Sequence, residues 1–236
     1  MRTQQLENNF AINVERGKEI DRTTDLKEKW YGLNSTDNLG CCTYLYKKYG
    51  YPERYKDFYK AYTTDNQDSG KENGRSEQYL LNVANILAFK DDFRFSIEEY
   101  YSYIVKKLIV DTLDGSKKES EVNDLLVKKG LKTVSPTITE DLKYGIDLKV
   151  YKDDDLKYMI QVKPNTFFIG NRNQSLINDR IKALEKERKT KEQYGVNTYY
   201  IIYNKTDGQF ILNKGKYLSH RLGDLINTDG TTKNII

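Results

Sequence analysis

The chain has 236 residues, enough for one large domain or two small ones with a proper core. Its 37% hydrophobic and 31% charged residues include no run of 18 apolar residues and no basic-then-apolar amino terminus, so neither a membrane span nor a signal peptide is expected and the sequence reads as cytoplasmic. Two adjacent cysteines, Cys41 and Cys42, and a single His220 exclude a disulfide framework and the usual zinc ligand set within one chain, while a formal charge of +4 alongside 20 tyrosines is compatible with a nucleic-acid partner.

In chain order, residues 1 to about 40 are polar, with a helix expected near Asp25 to Tyr31 and a loop from Gly32 to Gly40. Between Cys41 and Tyr62, seven tyrosines alternate with lysines and Arg54, a mixture that suits either phosphate contact with base stacking or a pair of amphipathic helices using tyrosine as core and rim. The run Thr63 to Ser76 has no apolar residue and predicts an exposed loop or linker. A packing helix follows from about Glu77 to Phe89, and Ser96 with Glu99 forms a capping box that opens a buried helix through Ile97, Tyr100, Ile104 and Leu108. Gly115 is expected to break that pattern, and a second helix from about Lys117 to Lys129 is expected to end at Gly130. This gives a helical, Tyr/Lys-rich region over 1–95, suited to DNA recognition or dimerisation, and a second region over 96–236.

After a loop containing Pro136, two apolar, β-branched runs flank an acidic turn: Ile146 to Tyr151 and Leu156 to Lys163. Side chains alternate along a strand, so Asp147 shares a face with Lys149 and Tyr151, and Gln161 shares one with Met159 and Lys163. A three-residue loop, Asp153 to Asp155, would pair Lys152 with Leu156 and set Asp147 opposite Gln161. A two-residue loop would send them to opposite faces. Beyond the hairpin come an Asn-rich loop from Pro164 to Gln174, a mostly solvated helix from about Leu176 to Gln193, a buried strand in Asn197 to Asn204, a further strand near Gln209 to Leu212, and a polar, helix-like segment holding His220.

An aspartate beside a Gln-x-Lys pair, with an upstream helix carrying glutamates, can hold a hard divalent cation next to an ammonium group. Such an ion polarises a phosphodiester, and Lys163 can orient the attacking water or neutralise charge at phosphorus. These residues resemble the PD-(D/E)XK nuclease superfamily, in particular its type II restriction endonucleases, over roughly Gly115 to Asn204. The resemblance implies an α/β (α+β) fold with a mixed central sheet flanked by helices, and Mg2+-dependent hydrolysis of double-stranded DNA by a homodimer. It makes Asp147 the metal-binding aspartate, Gln161 the acidic position, Val162 a backbone carbonyl ligand and Lys163 the catalytic lysine. Ile146 stands where the family often has proline, and Gln161 removes one negative charge from the usual site.

The helix carboxylate follows from helical geometry. At about 100° per residue, Glu119 lies roughly 60° and Glu121 roughly 100° from Val122, so Glu119 is the better candidate to face the sheet. Asn165, Asn171, Arg172, Asn173 and Gln174, directly after the catalytic strand, are side-chain types that read base edges or phosphates. The expected activity is a restriction endonuclease, with a DNA methyltransferase as its companion in the host. A structure-selective nuclease of the same fold, or a non-catalytic DNA-binding module, are the alternatives.

Overall fold

The computed structural model describes residues 14–21, 26–30, 33–169, 174–213, 216–217 and 219–233. The chain forms two compact units, Met1–Ser116 and Lys117–Ile236. Among the described residues, no helix is long and apolar enough to cross a membrane.

The first unit is helical. Residues 14–21 form α1, followed by α2 (Leu26–Trp30), α3 (Thr36–Leu39), α4 (Cys42–Lys48), α5 (Tyr55–Thr64), α6 (Glu77–Lys90) and α7 (Ile97–Val105). Its core gathers Leu26, Trp30, Leu45, Phe58, Leu80, Leu87 and Ile104. Tyr46 and Tyr62 are buried in this core, and Tyr44, Tyr49, Tyr55 and Tyr59 pack against it, so the tyrosine-rich segment uses most of its rings as core and rim. The capping box at α7 is complete: the Ser96 side chain accepts from the Glu99 backbone, and the Glu99 carboxylate from that of Ser96.

Three expectations are corrected here. The stretch from Gly32 to Gly40 is not all loop, because Thr36–Leu39 is helical and Leu39 enters the core. The polar run from Thr63 to Ser76 is not simply exposed, because Arg75 is fully buried within it. The Arg75 guanidinium donates to the carbonyls of Asn38 (2.6 Å), Asn73 (2.6 Å), Gly74 (3.0 Å), Asp37 (2.9 Å) and Gly70 (2.9 Å). Carbonyls of α3 and of the polar run are thus gathered around one cation. Gly115 does not end the helix: α7 passes through a π turn at Lys106–Val110 into α8, Asp111–Lys128. A lone glycine weakens a helix by only about 1 kcal/mol. Leu113 and Val122, buried on either side of it, outweigh that cost. Gly130, in the left-handed region at φ 78°, caps the end as expected.

The second unit is mixed α and β. After α8 come β1 (Lys132–Val134), α9 (Ile138–Tyr144), β2 (Leu148–Lys152), β3 (Asp155–Pro164), a 3-10 turn (Asn165–Phe168), α10 (Gln174–Tyr194) and β4 (Thr198–Tyr203). The chain ends through β5 (Leu212–Asn213), β6 (Lys216–Tyr217), β7 (Ser219–His220) and α11 (Leu222–Leu225). The sheet order is β1-β2-β3-β4-β7, with β3 and β4 parallel and the other pairs antiparallel. β5 and β6 pair separately, where a strand near Gln209 to Leu212 was expected, and His220 lies in a strand instead of a helix-like segment.

Alternation assigns the two faces. Leu148, Val150, Ile160, Val162 and Ile201 point to one side, where Val122 and Leu126 of α8 cover them. On the other side, Met159 packs with Tyr144 and Ile146, and Tyr200 and Ile202 pack with Phe168, Leu225 and Ile226. α10 is less solvated than its charge density predicts, since Arg180 and Thr190 are fully buried. Arg180 donates to the carbonyls of Phe167 (2.7 Å), Ile169 (3.0 Å) and Gly230 (3.0 Å), tying the segment after β3 to the helix.

Candidate active site

The hairpin turn has two residues, not three. Asp153 and Asp154 both adopt left-handed conformations, at φ 53° and 62°, as a tight turn with a matching twist requires. Lys152 pairs with Asp155 and Tyr151 with Leu156, which by themselves would put Asp147 and Gln161 on opposite faces. A β-bulge between Val150 and Tyr151 then adds one residue on β3, so that Val150 pairs with Tyr158 and Leu148 with Ile160. The ladder ends at Leu148–Ile160, and carrying its register one residue further would set Asp147 opposite Gln161, the facing expected from the sequence but reached by a different route.

Asp147 sits where β2 begins, and the chain leaves the ladder on its amino-terminal side. Its backbone N–H donates to the Ile160 carbonyl (2.9 Å), and its Oδ2 accepts from the Val162 N–H (2.6 Å). The carboxylate therefore takes the rung that the carbonyl of Ile146 would otherwise occupy. In an extended strand the N–H and C=O of one residue leave toward the same edge, so the Val162 carbonyl is directed to the Asp147 side.

The approach to Asp147 is fixed by α9, a helix in a segment that reads as loop in the sequence. Thr137 and Glu140 form its capping box, and Gly145 ends it in the left-handed region at φ 64°. Glu140 also accepts from Lys149 Nζ on β2 (3.0 Å) and from the Tyr194 hydroxyl on α10 (2.9 Å), joining three elements. Burial would raise the Glu140 pKa, but the hydrogen bonds from Thr137, Lys149 and Tyr194 outweigh it and bring the value down to about 2.

Gly145 forms a wall of the site. A Cβ there would lie 3.1 Å from Gln161 Nε2, 3.1 Å from Lys186 Cδ and 3.7 Å from Lys186 Nζ. Gln161 is itself buried, and Lys163, two residues on along the same face, is half-buried. Tyr200 pairs with Gln161 across the parallel ladder and is buried. Burial, then the negative charges of Glu187 and Asp147, hold its phenol pKa well above the usual range, so Tyr200 remains a neutral donor. Burial also lowers the Lys186 pKa, with Asp141 opposing, Lys163 adding to the lowering and Asp147 opposing again.

Asp147 thus lies beside the strand that carries Gln161 and Lys163, and the structure adds Lys186, Glu187 and Tyr200 nearby, which the sequence reads as solvated helix and buried strand. Glu119 is half-buried on α8, the helix that covers the opposite face of the sheet. Asn165 accepts from the Lys205 N–H through its Oδ1 (3.2 Å), a bond that holds its turn against the end of β4. Gln174 is exposed at the start of α10 and donates to Asn178 (3.1 Å). Asn171, Arg172 and Asn173 lie outside the described residues.

The oxygen donors at this edge are one carboxylate, one side-chain amide and one backbone carbonyl. They are hard ligands of the kind Mg2+ takes when waters and substrate phosphate complete its shell. Among the described residues, no cluster of three or more His, Cys, Asp or Glu side chains forms a denser metal site. No protein-family model, curated protein or solved structure matches the chain.

Proposed function

We propose that the second unit is a Mg2+-dependent nuclease of the restriction-endonuclease kind, hydrolysing double-stranded DNA at specific sequences. The observation that carries this reading is the Asp147 carboxylate accepting from the Val162 N–H, which sets it beside the strand that carries Gln161 and Lys163. Asp147, Gln161 and the Val162 carbonyl would hold the ion, whose contribution is Lewis acidity toward the phosphodiester. Lys163 stabilises the charge that builds on the phosphoryl oxygens as water adds to phosphorus and the bond to the leaving oxygen breaks. Cutting both strands of a duplex calls for two such sites, hence a homodimer. Arg172 and its neighbours would contact bases or phosphates next to the scissile bond.

The test is incubation of the purified protein with unmethylated plasmid and long phage DNA, with Mg2+ or with chelator, beside Asp147→Ala and Lys163→Ala. Discrete Mg2+-dependent fragments lost in both variants are expected. Intact linear DNA with cleavage of branched substrates would mean a structure-selective nuclease. Salt-dependent DNA binding without any cleavage would favour a binding module, the reading supported by the amide that Gln161 places where a second carboxylate would strengthen the ion's hold.

A further inference from the structure

α10 turns two charged residues toward the site, and their surroundings differ. The Glu187 side chain is 13% exposed, with Arg221 Nε 3.9 Å away. Lys186, among the described residues, has no carboxylate within salt-bridge distance. Its aliphatic stem lies against Gly145 beside the Gln161 amide. A glutamate at position 161 would offer Lys186 a partner, whereas an amide leaves it cationic and unpaired. Lys163 and Lys186 bring two ammonium groups to the Asp147 carboxylate, with Asp141 and Glu187 as further carboxylates nearby, and the half-burial of Lys186 strengthens its pull on an anion.

We propose that Lys186 is a second phosphate-binding cation of this site, gripping with Lys163 the scissile phosphate of duplex DNA even without metal. This rests on the nuclease reading above. It gives Gln161 a purpose beyond donating an oxygen: it leaves Lys186 available to substrate.

The experiment compares full-length wild type with Lys186→Gln and Lys186→Arg in three measurements: thermal melting, binding of a labelled duplex in chelator across a salt series, and plasmid cleavage with Mg2+. In Lys186→Gln the slope of log affinity against log salt should fall by about 0.9, the signature of one lost phosphate contact. Lys186→Arg should keep the slope. Melting of Lys186→Gln should stay level or rise, because a half-buried cation beside Lys163 has been removed, and cleavage should show a raised KM. Unchanged binding in Lys186→Gln, or binding and melting that fall together, would overturn the proposal. A wild type that binds with a Lys186-dependent slope yet cuts nothing removes the nuclease reading and leaves the phosphate grip. A wild type that cuts, with Lys186→Gln binding and cutting equally well, does the reverse. Absence of both binding and cutting in the wild type removes both.

Discussion

The bond from the Val162 N–H to the Asp147 carboxylate gives the site a dual signature that separates its structural from its chemical role. Val162 is buried at 6% exposure, and its N–H lies on an interior strand with only Asp147 Oδ2, at 2.6 Å, in the rung where a strand partner would be. Asp147→Ala removes the acceptor and leaves that donor without its partner, a loss of about 1–3 kcal/mol. At roughly 2–4 °C per kcal/mol for a protein of this size, melting should fall by about 2–12 °C. Asp147→Asn keeps an acceptor oxygen in the same place but removes the negative charge. It should melt within about 2–4 °C of wild type, given a bond to a neutral acceptor weaker by about 1 kcal/mol or less. Both variants should lose Mg2+-dependent cleavage. Differential scanning calorimetry alongside the plasmid assay measures the two effects on the same samples. An Asn variant that cuts like wild type, or an Ala variant that melts like it, would refute the assignment of Asp147 to both rung and site.

Glu140 predicts an acid-labile support. Its folded pKa, about 2, is below that of an ordinary glutamate, so it contributes stability above roughly pH 4.5 that is lost as pH falls toward 2. Discounted for solvent screening, that contribution is about 1–2 kcal/mol. Melting of Glu140→Gln should be lower at neutral pH and less sensitive to acid over this range; an identical pH profile would contradict the argument. Gly145→Ala should lower stability by about 1–2 kcal/mol for its left-handed backbone and also impair cleavage, because the new methyl group meets Gln161 and Lys186; calorimetry and the plasmid assay check both. Arg75→Met should unfold the first unit or cost it at least about 3 kcal/mol, since five carbonyls lose their donor, and denaturant titration followed by circular dichroism measures the loss.

Elements defined by local chemistry were legible in the sequence. The capping box at Ser96, the apolar stripe from Glu77, the terminating Gly130 and the two hairpin runs all depend on neighbours within a few residues, and each lies where expected. The same signature was present at Thr137, with Glu140 three residues on and Gly145 at the end, but α9 is too short to show a clear apolar period, and the segment reads as loop. Gly115 is the opposite case: a local breaker overridden by burial of the flanking turns, which periodicity on either side of it cannot reveal. Arg75 and Arg180 were unreadable for another reason. A buried arginine satisfied by backbone carbonyls looks in sequence like any surface cation, because its partners lie in segments up to 50 residues away.

The hairpin shows how a strand pairing can be legible while its construction is not. Strand alternation restricts Asp147 to one of two faces relative to Gln161, so the chemistry of the pair favours one parity of the connection. A two-residue turn with one bulged residue has the same parity as a three-residue loop, and sequence does not distinguish them. The structure chooses the tight turn, which matches strand twist, and places the correction at Val150/Tyr151, away from Asp147. Lys186 is subject to no such parity constraint. It reaches the site from a helix 23 residues beyond Lys163, so its part depends on how α10 crosses the sheet and on the wall Gly145 provides. Residues on one hairpin can be grouped by counting; a residue joined to them only through packing becomes visible once the helix is in place.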